Sequence, residues 1–439
     1  MHEGSTEQKS DDPRTTLAGD RNFRWLMSGA VVSMLGDQFT LIALPWLVLK
    51  MTGDTLVLGT VLALISIPRA LFILIGGALV DRYSPKRVMM LTKHANTLLL
   101  ALLAVLVLTG RLNLWMVYGF ALVIGFATAF SIPAGTSIMP HVIRREQLQA
   151  ANSILMVIRQ FSMFAGPLLA GLLIAVFGDG ASGSMEDAKG IGIAFLFDAF
   201  SFALSAWTLG KVSVHASTMS LARSVQPSVL AAVREGLRYC WSDASLRICF
   251  LYWGAVALLI SGPIQIAVPV LANEIGHGAA AFGTLLGAHG AGTLVGMAVS
   301  GAMPNLRVRN FGMTILLLDA VIGVLFVPMG WVGATWQGAS LLLVIGTLGG
   351  FLQVTVYTWL QRNMAPAMLG RGMALFMFIF MGIAPISSAM TGWVLRAITL
   401  AQLFAACGAL LIAIVVIALA TSRMRFITDL KTMQANTKQ

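Results

Sequence analysis

Charged side chains are scarce in this chain. They make up 11% of its 439 residues, whereas 57% of the residues are hydrophobic. A soluble domain carries roughly a quarter charged residues. Apolar runs of about twenty residues, each long enough to cross the hydrocarbon core of a bilayer, recur along the chain. The composition excludes an ordinary soluble domain and predicts an all-α integral membrane protein.

Cysteine is rare as well, and Cys240, Cys249 and Cys407 have neither disulfide nor metal-ligand spacing. The sequence has no GxxxxGK[ST] phosphate loop and no HExxH zinc motif, so we expect no ATP hydrolysis, no metal site and no cofactor. The charges inside the apolar runs are scattered rather than grouped as a catalytic acid, base or nucleophile. A membrane-embedded enzyme is therefore the less favoured class, and the chain is not expected to be an enzyme.

The formal net charge is +11, but the basic residues are spread over short loops instead of one patch, so no nucleic-acid partner is expected. Residues 1–22 are polar and contain no signal-peptide core, which predicts a cytosolic tail. With that tail in the cytosol, the basic residues of the external loops are few. They are Lys50, Arg111, Lys189 and Arg396. This asymmetry predicts that both termini are cytosolic and that the chain lies in the inner membrane.

Twelve apolar spans are predicted, in two groups of six. They are 23–49, 55–80, 88–109, 113–133, 150–178, 190–210, 246–271, 280–303, 311–330, 333–358, 370–396 and 399–421. The segment between the groups, 211–245, contains PSVLAAVREGLRYCWSD, whose apolar residues have helical spacing with charges between them, as in an amphipathic surface helix. The predicted units are a tail at 1–22, a bundle at 23–210, a cytosolic linker at 211–245, a bundle at 246–421 and a cytosolic tail at 422–439.

The two groups of spans are similar to one another in sequence. LGTVLALISIPRALFILIGGALVDRYSPKR aligns without a gap on FGTLLGAHGAGTLVGMAVSGAMPNLRVRNF, so that Gly59 falls on Gly283 and Asp81 falls on Asn305. Parallel duplication of six-span halves is typical of transporters that rock two bundles around a site near the bilayer midplane. The duplication therefore predicts two pseudo-symmetric six-helix bundles.

The second span ends in GGALVDRYSPKR, which is similar to the signature loop of the major facilitator superfamily. The twelve-span, two-half arrangement around it extends this resemblance over nearly the whole chain. Within the superfamily the chain resembles proton-coupled exporters of the macrolide-efflux and enterobactin-export type. The segments that carry this likeness are LGDQFTLIALPWLVLKMTG, FSIPAGTSIMP, GPLLAG, FLFDAFSFALSA, EGLRY and LGRGMAL.

The resemblance implies a conformational latch and a substrate cavity. In such transporters the signature loop holds the two bundles together on the cytosolic side of the outward-open state, here against Arg371 at the start of span eleven. The latch residues would be Gly77, Asp81, Arg82, Lys86 and Arg87, although the two basic residues of SPKR also suit a role in topology alone. The cavity would be lined by spans one, four, seven and ten, with polar candidates Gln38, Thr40, Tyr118, Gln265, Gln353 and Tyr357.

Ionisable side chains at bilayer depth are costly and are functional candidates by default. Asp37 and Arg69 each lie about 20 Å from the cytosolic ends of spans one and two, at a helical rise of about 1.5 Å per residue. They are predicted to pair, and the pair is either a proton-coupling switch or a static ion pair. The secondary candidates are Arg159, Asp198, His289 and Asp319.

The function expected from these features is secondary active transport. The first hypothesis is proton-coupled efflux of an amphipathic small molecule, of a drug-like, macrolide-like or siderophore-like kind. The alternatives are a lysophospholipid flippase or a solute uptake symporter of the same fold. The expected partners are the lipid bilayer, protons and this substrate, and a monomer is expected.

Overall fold

The computed structural model describes residues 17, 19–144, 147–178, 188–213, 229–276, 278–365 and 368–428; the side chains of residues 73–79, 81, 82, 229–233, 236, 370, 371 and 374 lie outside that description. Within these ranges, twelve helical segments are long and apolar enough to cross a membrane. The seventh consists of two helices joined by a π-helical turn at Pro263–Ala267. In chain order the helices are α1 (Arg21–Thr52), α2 (Thr55–Tyr83), α3 (Pro85–Leu108), α4 (Leu114–Val142), α5 (Leu148–Phe177), α6 (Lys189–Lys211), α7 (Val229–Ser242), α8 (Ala244–Gly262), α9 (Val268–Glu274), α10 (Gly278–Ala302), α11 (Phe311–Phe326), α12 (Thr335–Asn363), α13 (Leu369–Val394) and α14 (Leu400–Thr421).

Capping residues set the helix ends and keep the loops short. The Asp20 carboxylate accepts a hydrogen bond from the backbone N–H of Asn22 at 2.7 Å, and Asp54 accepts one from Leu56 at 2.8 Å. Gly53, at φ +62°, closes α1 in the left-handed conformation that glycine adopts without strain. Because α1 and α2 are joined by two residues, they run antiparallel.

The charged turn after α2 is equally tight. Ser84 has φ +100°, and Pro85 follows it as the first residue of α3. Proline suits this place because its fixed φ matches a helix start and its missing N–H would have no helical partner. The chain therefore reverses direction at one residue between its second and third spans.

The outer surface carries apolar stripes suited to lipid. On α3, Leu91, Leu98 and Leu102 are 72%, 71% and 53% exposed, whereas Leu103 and Val107 on the other side of the helix are fully buried. Unlike a surface helix of a soluble protein, α3 therefore has apolar residues on its outer side as well as on its inner side. This pattern fits a protein whose surrounding solvent is hydrocarbon.

The two halves repeat one packing scheme. In the first half α1 packs on α5 and α6, α2 packs on α4, and α3 packs on α6. In the second half α8 packs on α13, α10 packs on α12, and α11 packs on α14, which are the corresponding pairs. The structure therefore contains two pseudo-symmetric six-helix bundles. They meet through α5 against α10 and through α2 against α13.

Hydrogen bonds identify the side of the molecule on which the first described helix begins and the last one ends. The Asn22 side chain donates to Ser213 Oγ at 2.8 Å, which joins the start of α1 to the end of α6. The Asn310 side chain donates to the Arg425 carbonyl at 2.8 Å, which joins the start of α11 to the end of α14. We call this side the terminus face and the other side the far face.

The seventh span is interrupted near its middle. Ser387 of α13 inserts into the helix ladder: its hydroxyl accepts from the Gly262 N–H at 2.7 Å and donates to the Leu258 carbonyl at 2.5 Å. Pro263 follows at once and opens the π-helical turn. An inserted side chain next to a proline is a physical cause of a helix break, so α8 and α9 form a discontinuous span.

The described part of the predicted linker is helical. Helix α7 contacts α13, and the Tyr239 hydroxyl accepts a hydrogen bond from the Ala365 N–H at 3.2 Å. Leu237 and Trp241 are about half exposed, beside the exposed Arg238. This mixture of apolar and basic side chains suits a helix at the membrane surface. The helix rests on the second bundle.

Candidate functional site

The far face is sealed where the two bundles meet. A methyl group built on Gly171 of α5 would lie 2.6 Å from the Ala279 carbonyl oxygen of α10, and one on Gly59 of α2 would lie 2.9 Å from the Ser388 carbonyl oxygen of α13. Both glycines lie in the far-face half of their helices. Their missing side chains allow the backbones to touch there.

Polar contacts reinforce the far-face seal. Asp54 of the first half forms an ion pair with Arg396 of the second half, and Lys50 donates to the Asn273 side chain at 3.0 Å. The Arg396 hydrogen bond lowers the pKa of the Asp54 carboxyl from its ordinary value. Trp46, fully buried, stacks on Phe282 across the same boundary with ring centroids 6.4 Å apart.

The exposure of side chains along α1 indicates a cavity between the bundles that ends toward the far face. On one side of α1, Asp37 and Leu41 are exposed, whereas Leu44 and Val48, one and two turns further on, are buried. A lipid-facing stripe would stay exposed along the whole span. The change from exposed to buried at mid-span instead indicates a cavity with a closed floor. Asp37 lies on its wall.

Arg69 is not the partner of Asp37, and the predicted pair is wrong. The two side chains form no ion pair, and the cations whose charges act on Asp37 are Lys93 of α3 and Arg159 of α5. The depth estimate was compatible with pairing, but α1 leaves α2 after the tight turn to pack on α5 and α6, while α2 packs on α4 and α13. Equal depth on consecutive helices therefore did not make them neighbours.

Arg69 itself is partly buried in α2. Its Nε is a buried atom without a hydrogen-bond partner, and the guanidinium donates to none of the residues that the structure describes. No described residue links the Arg69 side chain to Asp37 or to the two cations that act on Asp37. Its part in proton coupling stays a prediction without a structural partner.

Lys93 is the functional candidate that the sequence interpretation missed. It is only 5% exposed, and its ammonium donates to Ser205 Oγ at 2.6 Å and to Ser33 Oγ at 3.4 Å. The ring of Phe202 lies 5.5 Å from the ammonium. Lys93 lies only two turns into α3, where a lysine is ordinarily an interfacial residue. The signal available in the sequence was the polar Asn96 three residues later, on the same side of the helix.

Asp198 completes a buried polar group with Lys93. It is 1% exposed, and its carboxylate accepts hydrogen bonds from the hydroxyls of Thr40 and of Ser201, the latter at 3.0 Å. The charges of Asp37, Lys93 and Asp198 act on one another. Thr40, predicted to contact substrate, thus donates its hydroxyl hydrogen bond to Asp198. Asp198 was predicted as a secondary candidate, and it lies behind Asp37, close enough for the two charges to interact.

Glycines on α1 bring these polar groups together. A methyl group built on Gly36 would lie 2.6 Å from the Asp198 carboxylate, and one on Gly29 would lie 3.1 Å from the Ser205 hydroxyl. The α1 backbone therefore packs directly on the short side chains of α6, which reach across to α1 and α3. Alanine at Gly36 would push the two helices apart.

Arg159 connects the first bundle electrostatically with the second. Its charge acts on Asp37 of α1 and on Tyr357 of α12. The Tyr357 hydroxyl donates to Met377 Sδ at 3.3 Å, and its ring packs on Phe376 at 5.2 Å. Arg159 and Tyr357 therefore lie close enough to interact across the two bundles, and the substrate-cavity role of Tyr357 stays a prediction.

The remaining predicted cavity residues have different surroundings. Gln38 packs its aliphatic part on Gly166 of α5, and Tyr118 packs edge-on against Trp115 near the far face, with ring centroids 5.8 Å apart. Gln265, in the π-helical turn, accepts from Ser388 at 3.3 Å. Gln38 and Gln265 therefore lie at contacts between helices, and Tyr118 packs on its own helix.

Gln353 of α12 is exposed, one helical turn before Tyr357. The two lie on one side of α12, because residues four apart are neighbours on a helix surface. Gln353 and Tyr357 therefore remain the candidates of the second bundle for substrate contact.

The two secondary candidates of the second bundle differ. Asp319 is 3% exposed and accepts a 2.7 Å hydrogen bond from the Tyr252 hydroxyl of α8. It is thus a hydrogen-bonded interhelical carboxyl away from the Asp37 group. The His289 ring makes no hydrogen bond within the described ranges, and its backbone lies against Gly346 of α12.

The predicted latch lies partly outside the described residues. This applies to the side chains of Gly77, Asp81, Arg82 and Arg371. Lys86 donates to the Val212 carbonyl at 2.6 Å and to the Gly210 carbonyl at 3.4 Å, at the end of α6. The C-terminal end of a helix favours a cation. In this conformation Lys86 therefore binds its own bundle. Arg87 is exposed.

No three histidine, cysteine, aspartate or glutamate side chains converge on a metal-sized site within the described part of the chain. The chemistry available at the cavity wall is therefore that of individual charges. These are a carboxylate and a guanidinium in the open, with a second carboxylate and an ammonium behind them.

Comparison with known proteins agrees with this architecture. The family model of the Major Facilitator Superfamily matches residues 26–389. The chain is 25% identical over 350 residues to the enterobactin exporter EntS of Salmonella typhimurium (strain LT2), which is 80% of each chain. It is 28% identical over 228 residues to the multidrug efflux pump Tap of Mycolicibacterium fortuitum, which is 51% of this chain and 53% of Tap.

Solved structures show the same fold. The nucleoside transporter NupG superposes with a TM-score of 0.68 at 12% sequence identity, over 90% of this chain and 98% of NupG. At this identity the likeness concerns the fold alone. The twelve-helix, two-bundle arrangement is thus found in a solved transporter.

Proposed function

The chain belongs to the major facilitator superfamily, and on this premise we propose that it exports an amphipathic small molecule in exchange for protons. It is a multi-pass membrane transporter and not an enzyme. The single observation that carries the proposal is the exposed Asp37 carboxylate at mid-span, backed by the buried Lys93 and Asp198. The relatives EntS and Tap, both named as exporters, support the direction.

Charge balance makes Asp37 a coupling group. When both carboxylates are ionised, Asp37 and Asp198 balance Lys93 and Arg159. A proton on Asp37 leaves one positive charge uncompensated in a low-dielectric region, where such an imbalance is costly. A substrate that adds negative charge to this group therefore favours a proton on Asp37, and a substrate that adds positive charge excludes it. Exclusion yields exchange of substrate for protons.

The second element of the proposal is alternating access. The far face is sealed by glycine contacts and by the Asp54–Arg396 pair, while the cavity opens to the terminus face. Export requires the reverse arrangement, in which the bundles rock apart at the far face and close at the terminus face. The turn after α2, with Asp81 and Lys86, and the start of α13 at Arg371 would close the terminus face in that state.

Charge asymmetry supports an orientation for this cycle. The basic residues concentrate on the terminus face, so that face would be cytosolic and the open cavity would load substrate from the cytosol. The relatives EntS and Tap are bacterial proteins, which supports the inner membrane as the location.

Export can be tested in intact bacteria that lack their main efflux pumps. Cells expressing the chain are loaded with a macrolide, a hydrophobic cationic dye or a catecholate, and retention is measured with and without a protonophore. We expect uncoupler-sensitive loss of at least one compound, and Asp37→Asn is expected to abolish it. Accumulation driven by the proton gradient, or loss that an uncoupler leaves unchanged, would refute proton-coupled export.

A further inference from the structure

Helix α5 presents one side to the cavity, and Arg159 lies on it. Asn152, Met156, Arg159 and Met163 follow each other at three- and four-residue intervals and are all exposed. The same line continues through Pro167, Ala170 and Ile174, which are buried in the far-face half.

A different line on α5 shows what a lipid-facing side looks like. Val157, Phe161, Leu172 and Val176 are exposed by more than half, in both halves of the helix. Because only the Arg159 line changes from exposed to buried, it forms a wall of the cavity that closes toward the far face.

Within the described residues, the Arg159 guanidinium has no hydrogen-bonding or ion-pair partner. The side chain forms no ion pair and donates no hydrogen bond there, although its charge acts on Asp37 and on Tyr357. It lies eleven residues from the start of α5, about 17 Å along the helix at 1.5 Å per residue. A free guanidinium at this depth is costly, and such residues mark substrate pathways.

Asp37 is its counterpart on α1. The carboxylate is exposed, is the acceptor of no hydrogen bond within the described ranges and forms no ion pair with Arg159. The cavity therefore displays two opposite charges that attract one another but remain apart. Each keeps its hydrogen-bonding capacity for a ligand, and a guanidinium suits carboxylate or phosphate in particular.

Exchange requires that ligand and proton exclude one another, and this requirement restricts the charge that the ligand can carry. An anion on Arg159 would neutralise the positive charge that stabilises the ionised Asp37 carboxylate and would favour a proton there. Anion and proton would then bind together, contrary to exchange. A simple cation would compete with the proton at Asp37 but would be repelled by Arg159. A ligand with both charges satisfies Arg159 and still competes with the proton at Asp37.

We propose that the substrate is an amphipathic zwitterion, with an amine that binds Asp37 and a carboxylate or phosphate that binds Arg159. Its apolar body packs on the methionines of the α5 wall and on Tyr357. Methionine suits such a wall because its flexible, polarizable side chain adapts to varied apolar shapes. This inference rests on the proposed function, because the coupling sign excludes the simple anion.

Matched probes test the charge rule at equilibrium and without a proton gradient. The dipeptide Phe-Phe is a zwitterion, its C-terminal amide is a cation, and its N-acetyl derivative is an anion, all with one apolar body. Lysophosphatidylethanolamine provides a zwitterion whose acid is a phosphate. Binding to the full-length protein in nanodiscs is measured by isothermal calorimetry. We expect Phe-Phe to bind at least about tenfold more tightly than the amide or the N-acetyl form.

Variants assign each charge to its residue. Arg159→Gln is expected to remove the preference for Phe-Phe over its amide. Asp37→Asn is expected to remove the preference for Phe-Phe over its N-acetyl derivative. Arg159→Lys retains part of the first preference, because the charge remains while the forked geometry is lost. Phe161→Leu, on the lipid-facing line of α5, is the matched control and keeps the wild-type ranking.

The outcomes separate this inference from the proposed function. Equal or tighter binding of the cation or the anion, or a ranking that both variants leave unchanged, overturns the zwitterion site, while proton-driven export can still be observed. If Phe-Phe binds most tightly and this preference depends on both Arg159 and Asp37, but the protein shows no proton-driven export, the result supports the site and refutes the coupling. Binding of lysophosphatidylethanolamine but not of Phe-Phe assigns the acid as phosphate, and the reverse assigns it as carboxylate.

Discussion

The far-face seal can be opened by adding atoms to one glycine. Gly59 of α2 lies against α13, where an added methyl group would be 2.9 Å from the Ser388 carbonyl oxygen and 3.3 Å from the Ala389 Cα. Both neighbours are backbone, which cannot move aside as a side chain can. Gly59→Val is therefore expected to force the far face apart while leaving each bundle intact.

The size of the effect follows from overpacking. Extra methyl groups in a tight contact cost about 1–3 kcal/mol. If this cost applies only to the sealed state, the ratio of sealed to open molecules falls about 5- to 150-fold. Gly59→Ala, with a single added carbon, is expected to lie at the lower end. Gly119→Val is the matched control, because Gly119 of α4 has no neighbouring atom within 4 Å of an added methyl group.

Spin labels at two far-face positions report the change. Cysteines replace Arg111 of the first half and Trp336 of the second, both exposed, in a background in which Cys240, Cys249 and Cys407 are serine. Double electron–electron resonance should show a longer distance population in Gly59→Val than in the wild type or in Gly119→Val. An unchanged distribution in a folded Gly59→Val protein would refute the glycine contact as the seal.

Three further predictions concern other contacts. Protonation of Asp54 should lengthen the distance between the same far-face labels. The pKa of Asp54 is lowered in the sealed state, so the Asp54–Arg396 pair stabilises the seal fully above the ordinary pKa of 3.8 and loses this effect as the pH falls below it. Asp54→Asn should remove this acid response. Tyr252→Phe leaves buried Asp319 without its 2.7 Å donor and should lower stability by about 1–3 kcal/mol in thermal unfolding, with export unchanged; loss of export at normal stability would contradict a structural role. Lys93→Met should reduce thermal stability because it leaves Asp198 uncompensated, and adding Asp198→Asn should restore part of the loss; purely additive losses would show that the two charges are independent.

The span count and the duplicated halves could be predicted because both depend on local sequence. A run of apolar residues is long enough to cross the bilayer or it is not, and the repeated sequences fold into corresponding packing partners. Helix α3 begins at Pro85, three residues before the predicted span at 88–109, because the signature loop is shorter than its charges suggested.

The site was predictable only in part, because helix packing is not local. Asp37 was recognised from its depth, but its neighbours come from α3, α5 and α6 rather than from the next helix along the chain. Lys93 was overlooked because a lysine near a helix start usually reaches water. Only the fold places serines of α1 and α6 beside its ammonium.

Proton-driven transport by Asp37→Asn in proteoliposomes tests the coupling role most directly. Vesicles are loaded with the compound that the wild-type chain exports, and its movement is followed with an imposed pH gradient and, separately, as exchange at equal pH. Asp37→Asn should lose the gradient-driven component but keep exchange at substrate concentrations high enough to offset the lost amine contact. Asp319→Asn, a carboxyl outside the cavity, should keep both. Gradient-driven transport that persists in Asp37→Asn would contradict the role of this carboxylate in coupling.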